Sequence, residues 1–269
     1  MKVLISNEAH KDIESIFEYI SLDSLKYANE TLEKIYFLIC KLEKNPNIGR
    51  YVPELYDKKL GIYRTSIDID PENLEIGRIR AFTKGWLERE SCFLHMTYKY
   101  LLGLLYGGLY DEFFEELKTN LVCFMDPNVY GRSVLENSSF IATSCNPDPE
   151  THGKGYVSRL TGANVEFLSM WQYMMFGKSV FKMVNNELVA EFNPILPEFL
   201  FDENDEVSAM FMSNTKVTYK NPNRKDTYKN CSVEKMIIDG MEIKSNQLSG
   251  EMVFKLREGS FKNIQIILK

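Results

Sequence analysis

The run THGKGYVSRLTGANVEF, residues 151–167, joins two different patterns. Its first half is glycine-spaced, basic and hydroxyl-bearing, the chemistry of a loop that contacts an anion. Its second half opens NVEFLSMWQYMMF, which reads as a buried helix from about Asn164 to Phe176. A helix N-terminus offers unpaired N–H groups and the positive end of its dipole, so such a junction suits a phosphate. The helix it opens is the last helical pattern before the chain switches to strand spacing beyond residue 178.

Before it, Val3 to Ile5 reads as a short strand. Ile13, Ile16, Phe17 and Ile20 share one face of a helix from about Ala9 to Ile20. Leu32, Ile35, Leu38, Ile39 and Leu42 form the stripe of a second helix, from about Leu25 to Leu42. Asp23 or Ser24 supplies its N-cap and Asn45-Pro46 ends it, after which NPNIGRYVPEL is a turn and an extended segment. Glu90 to Tyr106 reads as a largely buried helix. Leu109 to Leu121 is amphipathic, with Phe113, Phe114 and Leu117 opposite acidic residues. From Phe124 to Tyr156 the chain loses periodicity, and loops that long are usually functional or disordered. The Tyr, Phe, Val, Leu and Ile content of this one argues against disorder.

Beyond residue 178 the runs SVFKMV, ELVAEF, VSAMFM, KVTYKN, SVEKMIIDG, GEMVFKL and NIQIILK read as strands. Asn185-Asn186 and Asp239-Gly240 are hairpin turns. The expected fold class is therefore multidomain α+β, with three parts at 1–56, 57–178 and 179–269. The last part is an antiparallel β-sandwich or jelly-roll-like module.

The chain of 269 residues, 44% hydrophobic and 26% charged, has the composition of a globular protein. Its net charge of −6 argues against a nucleic-acid partner. Cys40, Cys92, Cys123, Cys145 and Cys231 form no CxxC pair, so neither a zinc site nor a disulfide framework is expected, and the thiols read as inert in a reducing compartment. The first residues turn polar too soon for a signal peptide, and no apolar run approaches the ~18–20 residues of a membrane span. A cytoplasmic location is expected, with no membrane contact.

Four further segments are distinctive: EIGRIRAFTKGWLERESCFLHMTYKYLL, LYDEFFEELKT, DPNVYGRSVLENSSFIATSCNPDPETHGKGYVSRLTG and EFLSMWQYMM. They resemble, in order, the C-terminal part of the cellobiose-phosphorylase family, especially its β-linked oligoglucan branch. The resemblance covers about three quarters of the chain, from about Leu60. It implies the last helices of an (α/α)6 barrel, followed by the family's C-terminal β domain. It also implies β-linked oligosaccharide and inorganic phosphate as co-substrates, with no cofactor and no metal.

By the same resemblance His95 matches a phosphate-contacting histidine, and Thr161 and Gly162 match a phosphate-contacting Thr-Gly pair. They stand about 66 residues apart here, as they do in the family. Glu88 matches an acidic residue that bonds the substrate sugar, sharing the His95 face two helical turns away. Phosphate does need charge-assisted donors converging at one point. Taken alone, a histidine on an apolar helix is ordinarily a core residue, and Thr161-Gly162 an ordinary helix start. Arg132 and Arg159 read as solvated or paired with Glu136 or Asp148, with a phosphate contact as the alternative for either, and His152 as solvent-facing. Trp171 and Met174-Met175 read as core packing. After Gly162 the family favours small hydroxylated residues, whereas this chain has ANVEF, with Asn164 as a possible N-cap. The aspartate that serves the family as general acid would fall before Met1, so no catalytic residue is assigned.

Residues 1–56 resemble, more weakly, the N-terminal half of RelE/ParE-superfamily toxins. The features are Ala9, Asp12, Ile16, Tyr19-Ile20, Ala28 and NPNIGR with Pro46, Gly49 and Arg50. That resemblance implies a strand, a helical hairpin and an antitoxin-like protein partner. Three functional readings stay open: part of a glycoside phosphorylase without its acid, a toxin–antitoxin interaction protein, and a non-catalytic carbohydrate- or phosphate-binding element.

Overall fold

Ser6 starts the first helix, its hydroxyl accepting the Ala9 amide at 3.1 Å, and α1 runs over Asn7–Ser21. Ser24, not Asp23, caps the next helix by accepting the Tyr27 amide at 3.4 Å; α2 covers Leu25–Lys44. The computed structural model describes residues 3, 5–44, 55–68, 74–158 and 162–269. It divides the chain into two units, Met1–Glu54 and Leu55–Lys269. In the first, α1 packs on α2 around Ile13 and Ala28, with Phe17, Ile20, Leu32, Ile35 and Ile39 half-buried. Ile16 and Leu38, expected on the apolar faces, are exposed. Leu38 lies about 100° around the helix from Ile39, off the face that meets α1. Val3 and Ile5 have no regular structure. The Leu42 side chain and the segment carrying Pro46, Gly49 and Arg50 lie outside the described residues.

In the second unit β1 (Tyr56–Asp57) pairs with β2 (Ile62–Tyr63). A short helix at Leu74–Ala81 bends at Gly77. The helix expected from Glu90 begins later, as α3 (Leu94–Tyr106), because Leu87 and Glu90 adopt left-handed φ values of 49° and 55° and Cys92–Phe93 form β3. Then come α4 (Tyr110–Asn120), α5 (Pro127–Tyr130), β4 (Ser138–Ile141), β5 (Gly155–Ser158) and α6 (Gly162–Phe176). The long aperiodic stretch thus holds a helical turn and two strands, and β4 pairs with both β3 and β5. Tyr98, Leu101 and Leu105 of α3, Phe113 and Leu117 of α4, and Ala163 and Met170 of α6 fill one core. Val165 and Leu168 of α6, expected inside, are exposed, and Trp171 is only partly covered.

The remaining elements are β6 (Phe181–Val184), β7 (Glu187–Glu191), β8 (Glu206–Phe211), β9 (Thr215–Lys220), β10 (Val233–Ile238), β11 (Met241–Ile243), β12 (Gln247–Ser249), α7 (Glu251–Arg257) and β13 (Asn263–Leu268). They form a three-stranded sheet, β12-β7-β6, and a five-stranded sheet, β11-β10-β13-β9-β8. Both expected hairpins exist. Asn185 and Asn186 have φ of 50° and 64°, Asp239 and Gly240 46° and 90°, which suits the twist of tight hairpins. Two expectations fail. GEMVFKL contributes α7 rather than a strand, because Val253 and Leu256, three apart, both bury on one helical face. The module is not wholly antiparallel either: α7 carries the chain across so that β13 inserts between β10 and β9, parallel to β9.

Alternate residues of the five-stranded sheet, such as Val217, Tyr219, Ile264 and Ile266, bury in one cluster with Ala190 of β7 and Leu248 of β12. Met174 packs against this core and the helical one. The molecule is thus mixed α+β, with several antiparallel sheets. Among the described residues, no helix is long and apolar enough to cross a membrane.

Candidate functional site

His95 sits in the first turn of α3 and Gly162 is the first residue of α6, and the structure brings them into contact. A Cβ built on Gly162 would lie 2.5 Å from both Cε1 and Nδ1 of His95 and 2.6 Å from its Cγ. Only glycine permits this approach, so the imidazole rests directly on the start of α6. Thr161 and Arg159 lie outside the described residues. Asn164, considered as an N-cap, is instead inside α6, where its Oδ1 accepts from Asn137 Nδ2 at 2.9 Å. Asn137 Oδ1 in turn accepts the Tyr98 hydroxyl at 2.8 Å, which ties the first turn of α6 to α3.

Sequence reasoning missed Glu166. One turn beyond Gly162, its Oε1 lies 3.3 Å from His95 Nε2, and Lys99 Nζ reaches the same oxygen at 4.0 Å. The available signal was spacing: Glu166 follows Gly162 by four residues and Lys99 follows His95 by four, so each shares its helix face. The His95 side chain is 41% exposed. Its ring is therefore seated by backbone on one side, bonded by a carboxylate at Nε2, and open to solvent. This arrangement can exchange the Glu166 carboxylate for another anion at the same nitrogen.

Glu88 does not share a helix with His95. It stands in the irregular Trp86–Ser91 segment, ahead of α3, so the expectation of a shared helical face is corrected by the left-handed turns at Leu87 and Glu90. Its carboxylate takes both ends of the Arg78 guanidinium, Nε at 3.0 Å and Nη2 beside the other oxygen, and this pairing holds the Arg78 pKa up. Gly85, at φ 69°, lets the segment lie against the backbone of Asn146. Two residues after Glu88, Glu90 is 2% exposed and bonds Arg64 Nη1 at 3.1 Å. The same Nη1 reaches Cys145 Sγ at 2.9 Å. Burial pushes the Cys145 thiol up. Buried Cys92, raised to about 12, is inert for the same reason.

Of the other sequence candidates, Arg132 pairs with Glu136 at 3.2 Å, and Asp148 caps the turn at Pro149–Thr151 by accepting the Glu150 amide. His152, expected to face solvent, is half-buried and held at both nitrogens. Nδ1 accepts from Lys59 Nζ at 2.9 Å, and Nε2–H donates to the Asn146 carbonyl at 2.7 Å. It fastens its loop. Among the described residues, no cluster of three or more His, Cys, Asp or Glu side chains could hold a metal ion. No family model matches the chain, and the search of curated proteins finds no match.

Proposed function

We propose that the unit Leu55–Lys269 is the phosphate-binding half of a glycoside phosphorylase site for β-linked gluco-oligosaccharides. The observation that carries the reading is the His95 ring resting on Gly162 at the start of a fifteen-residue helix. In an inverting phosphorolysis, a phosphate oxygen attacks the anomeric carbon, the glycosidic C–O bond breaks, and an acid protonates the departing oxygen. In this reading His95, Gly162 and Thr161 hold the phosphate, and Glu88 engages the sugar hydroxyls. Phosphate displaces the Glu166 carboxylate from His95 Nε2. The packing of α3 on α4 and α6 supports reading them as closing helices of an (α/α)6 barrel, and the core shared by the two C-terminal sheets supports a β-sandwich.

No residue of this chain matches the family's acid, so the chain alone is proposed to lack turnover. Calorimetric titration of the full chain with inorganic phosphate should show binding that His95→Ala removes; equal binding by both proteins would refute the site. Incubation with laminaritriose and phosphate should release no sugar 1-phosphate, and release abolished by His95→Ala would refute the missing acid.

A protein-interaction role for Met1–Glu54 is favoured by one observation: Tyr19, Leu25, Tyr27 and Leu38 are exposed on its two helices, and Leu22 in the turn between them. Growth arrest of a bacterium expressing the chain, lost on deleting residues 1–54, would shift the reading to a toxin.

A further inference from the structure

At the far end of α6 from His95, a cavity of about 570 Å³ opens between the helices and the C-terminal strands. Tyr173 lines it from α6, eleven residues beyond Gly162. At ~1.5 Å per residue, that places it about 16 Å along the helix from the His95 seat. It is a separate site.

Its two walls differ in chemistry. One is aromatic: Tyr110, Tyr173 and Tyr228. The Tyr110 and Tyr228 rings meet edge to face at 5.5 Å, and Phe114 stacks behind Tyr228 at 5.3 Å, which fixes the ring. Burial first, then nearby acidic groups, raise the Tyr228 hydroxyl to about 12, so it stays protonated. The other wall is Lys182, Asn193 and Asn246. Two of them are anchored by one buried carboxylate, Glu191: Lys182 is paired with Oε2, and Asn246 Nδ2 bonds Oε1 at 3.3 Å. An amide anchored through one N–H keeps a second N–H and a carbonyl oxygen, the bidentate pair that engages two neighbouring hydroxyls.

We infer that this cavity is a second saccharide site, taking a neutral pyranose of a short oligosaccharide between the tyrosine rings and the amides of Asn193 and Asn246. The volume falls within the ~300–1,000 Å³ of ordinary ligand pockets. A pyranose offers an apolar C–H face to the rings and equatorial hydroxyls to the amides. Glu191 neutralises Lys182 but leaves the Lys178 charge at the rim, so inorganic phosphate is the comparison that separates an anion site from a saccharide site. The choice of a gluco-oligosaccharide rests on the phosphorolysis reading; the two-walled cavity does not.

Laminaritriose and cellotriose are titrated into the isotopically labelled full chain, with inorganic phosphate as the anionic comparison. Binding should shift the side-chain amide signals of Asn193 and Asn246. Asn246→Ala and Ser179→Trp, the latter filling the rim with an exposed side chain, should each weaken it at least tenfold, and the proteins' thermal unfolding shows whether each variant is folded. The wild-type amide shifts decide the matter even if a variant does not fold. No trisaccharide binding, shifts confined to His95 and Gly162, unchanged affinity in both folded variants, or phosphate shifting Asn193 and Asn246 would each overturn the inference. Loss of wild-type phosphate binding with trisaccharide binding intact would sink the phosphorolysis reading and leave this one standing.

Discussion

Gly162→Ala tests the His95 seat directly. The added methyl would lie 2.5 Å from two ring atoms and 2.6 Å from Cγ, against the ~3.5–4.0 Å at which carbon contacts are favourable. Because Cγ is among the crowded atoms, spinning the ring about its own bond brings no relief, and the whole imidazole must swing about χ1. Overpacking of this kind costs ~1–3 kcal/mol in a closed core. Here the ring is 41% exposed and has solvent to swing into. Alanine also recovers up to ~1 kcal/mol of helix propensity. The net loss of stability should therefore be about 1 kcal/mol or less. Phosphate binding should suffer more. A ring swung off α6 removes one charge-assisted hydrogen bond, ~1.5–3 kcal/mol, or roughly ten- to 150-fold in affinity. Calorimetry with inorganic phosphate gives the affinity, and urea unfolding gives the stability. Wild-type phosphate affinity in a folded Gly162→Ala protein would refute the reasoning. So would additivity with His95→Ala, since two changes acting on one contact must be coupled.

Glu166→Gln removes the negative charge 3.3 Å from His95 Nε2 and should raise phosphate affinity roughly fivefold, about 1 kcal/mol, in the same titration. Asp57, 4% exposed, accepts from the amides of Lys59, Leu60 and Ser144 and from the Ser144 hydroxyl. Asp57→Ala should cost ~3–5 kcal/mol in urea unfolding, and a loss under 1 kcal/mol would show that these bonds are replaceable. Burial pushes the Glu191 carboxyl up, but bonds from Lys182 and Gln247 outweigh it and hold the pKa below its ordinary 4.5. The unfolded chain therefore takes the proton first. The stabilisation is complete above that ordinary value and is lost as the pH falls through the lower folded one. Unfolding measured across acidic pH should show this decline in the wild type and a flatter profile in Glu191→Gln; parallel profiles would contradict it.

The helices and most strands were legible because their patterns are local. Phe113, Phe114 and Leu117 mark α4 by spacing alone, and Asn185-Asn186 marks a turn by its tolerance of positive φ. What failed was set by distant partners. Cys92–Phe93 carry a helical pattern, but pairing with Phe140 and Ile141 makes them a strand and delays α3. Placing Glu88 on the His95 helix failed with it. GEMVFKL alternates well enough for a strand, yet Val253 and Leu256 find a common core only as a helix. At the site, resemblance singled out His95 and Gly162, whose contact the fold provides. Glu166 was passed over because it belongs to no motif, and its weight comes only from lying beside a histidine 71 positions earlier in the chain.

The seat gains its chemical value from how firmly α6 is held. At its start, Asn164 is bonded to Asn137, Asn137 to Tyr98, and the Tyr98 hydroxyl accepts the Val122 amide at 3.2 Å. At its end, the Met174 carbonyl accepts Ile195 N–H at 2.7 Å, and the Met175 carbonyl accepts the Tyr219 hydroxyl at 2.6 Å. Tyr219 is fully buried, and burial keeps that hydroxyl protonated. Capturing an anion with a helix N-terminus and one imidazole is weak when either group must first be ordered, because the ordering cost is subtracted from the binding energy. Here the helix is fixed at both ends and glycine fixes the ring against it, so little reorganisation remains. On the proposed phosphate reading, the exchange left to make is Glu166 for phosphate at one nitrogen. A loosely held helix would have spread that cost over the whole α3–α6 contact, and no single residue would then control affinity as Gly162 is expected to.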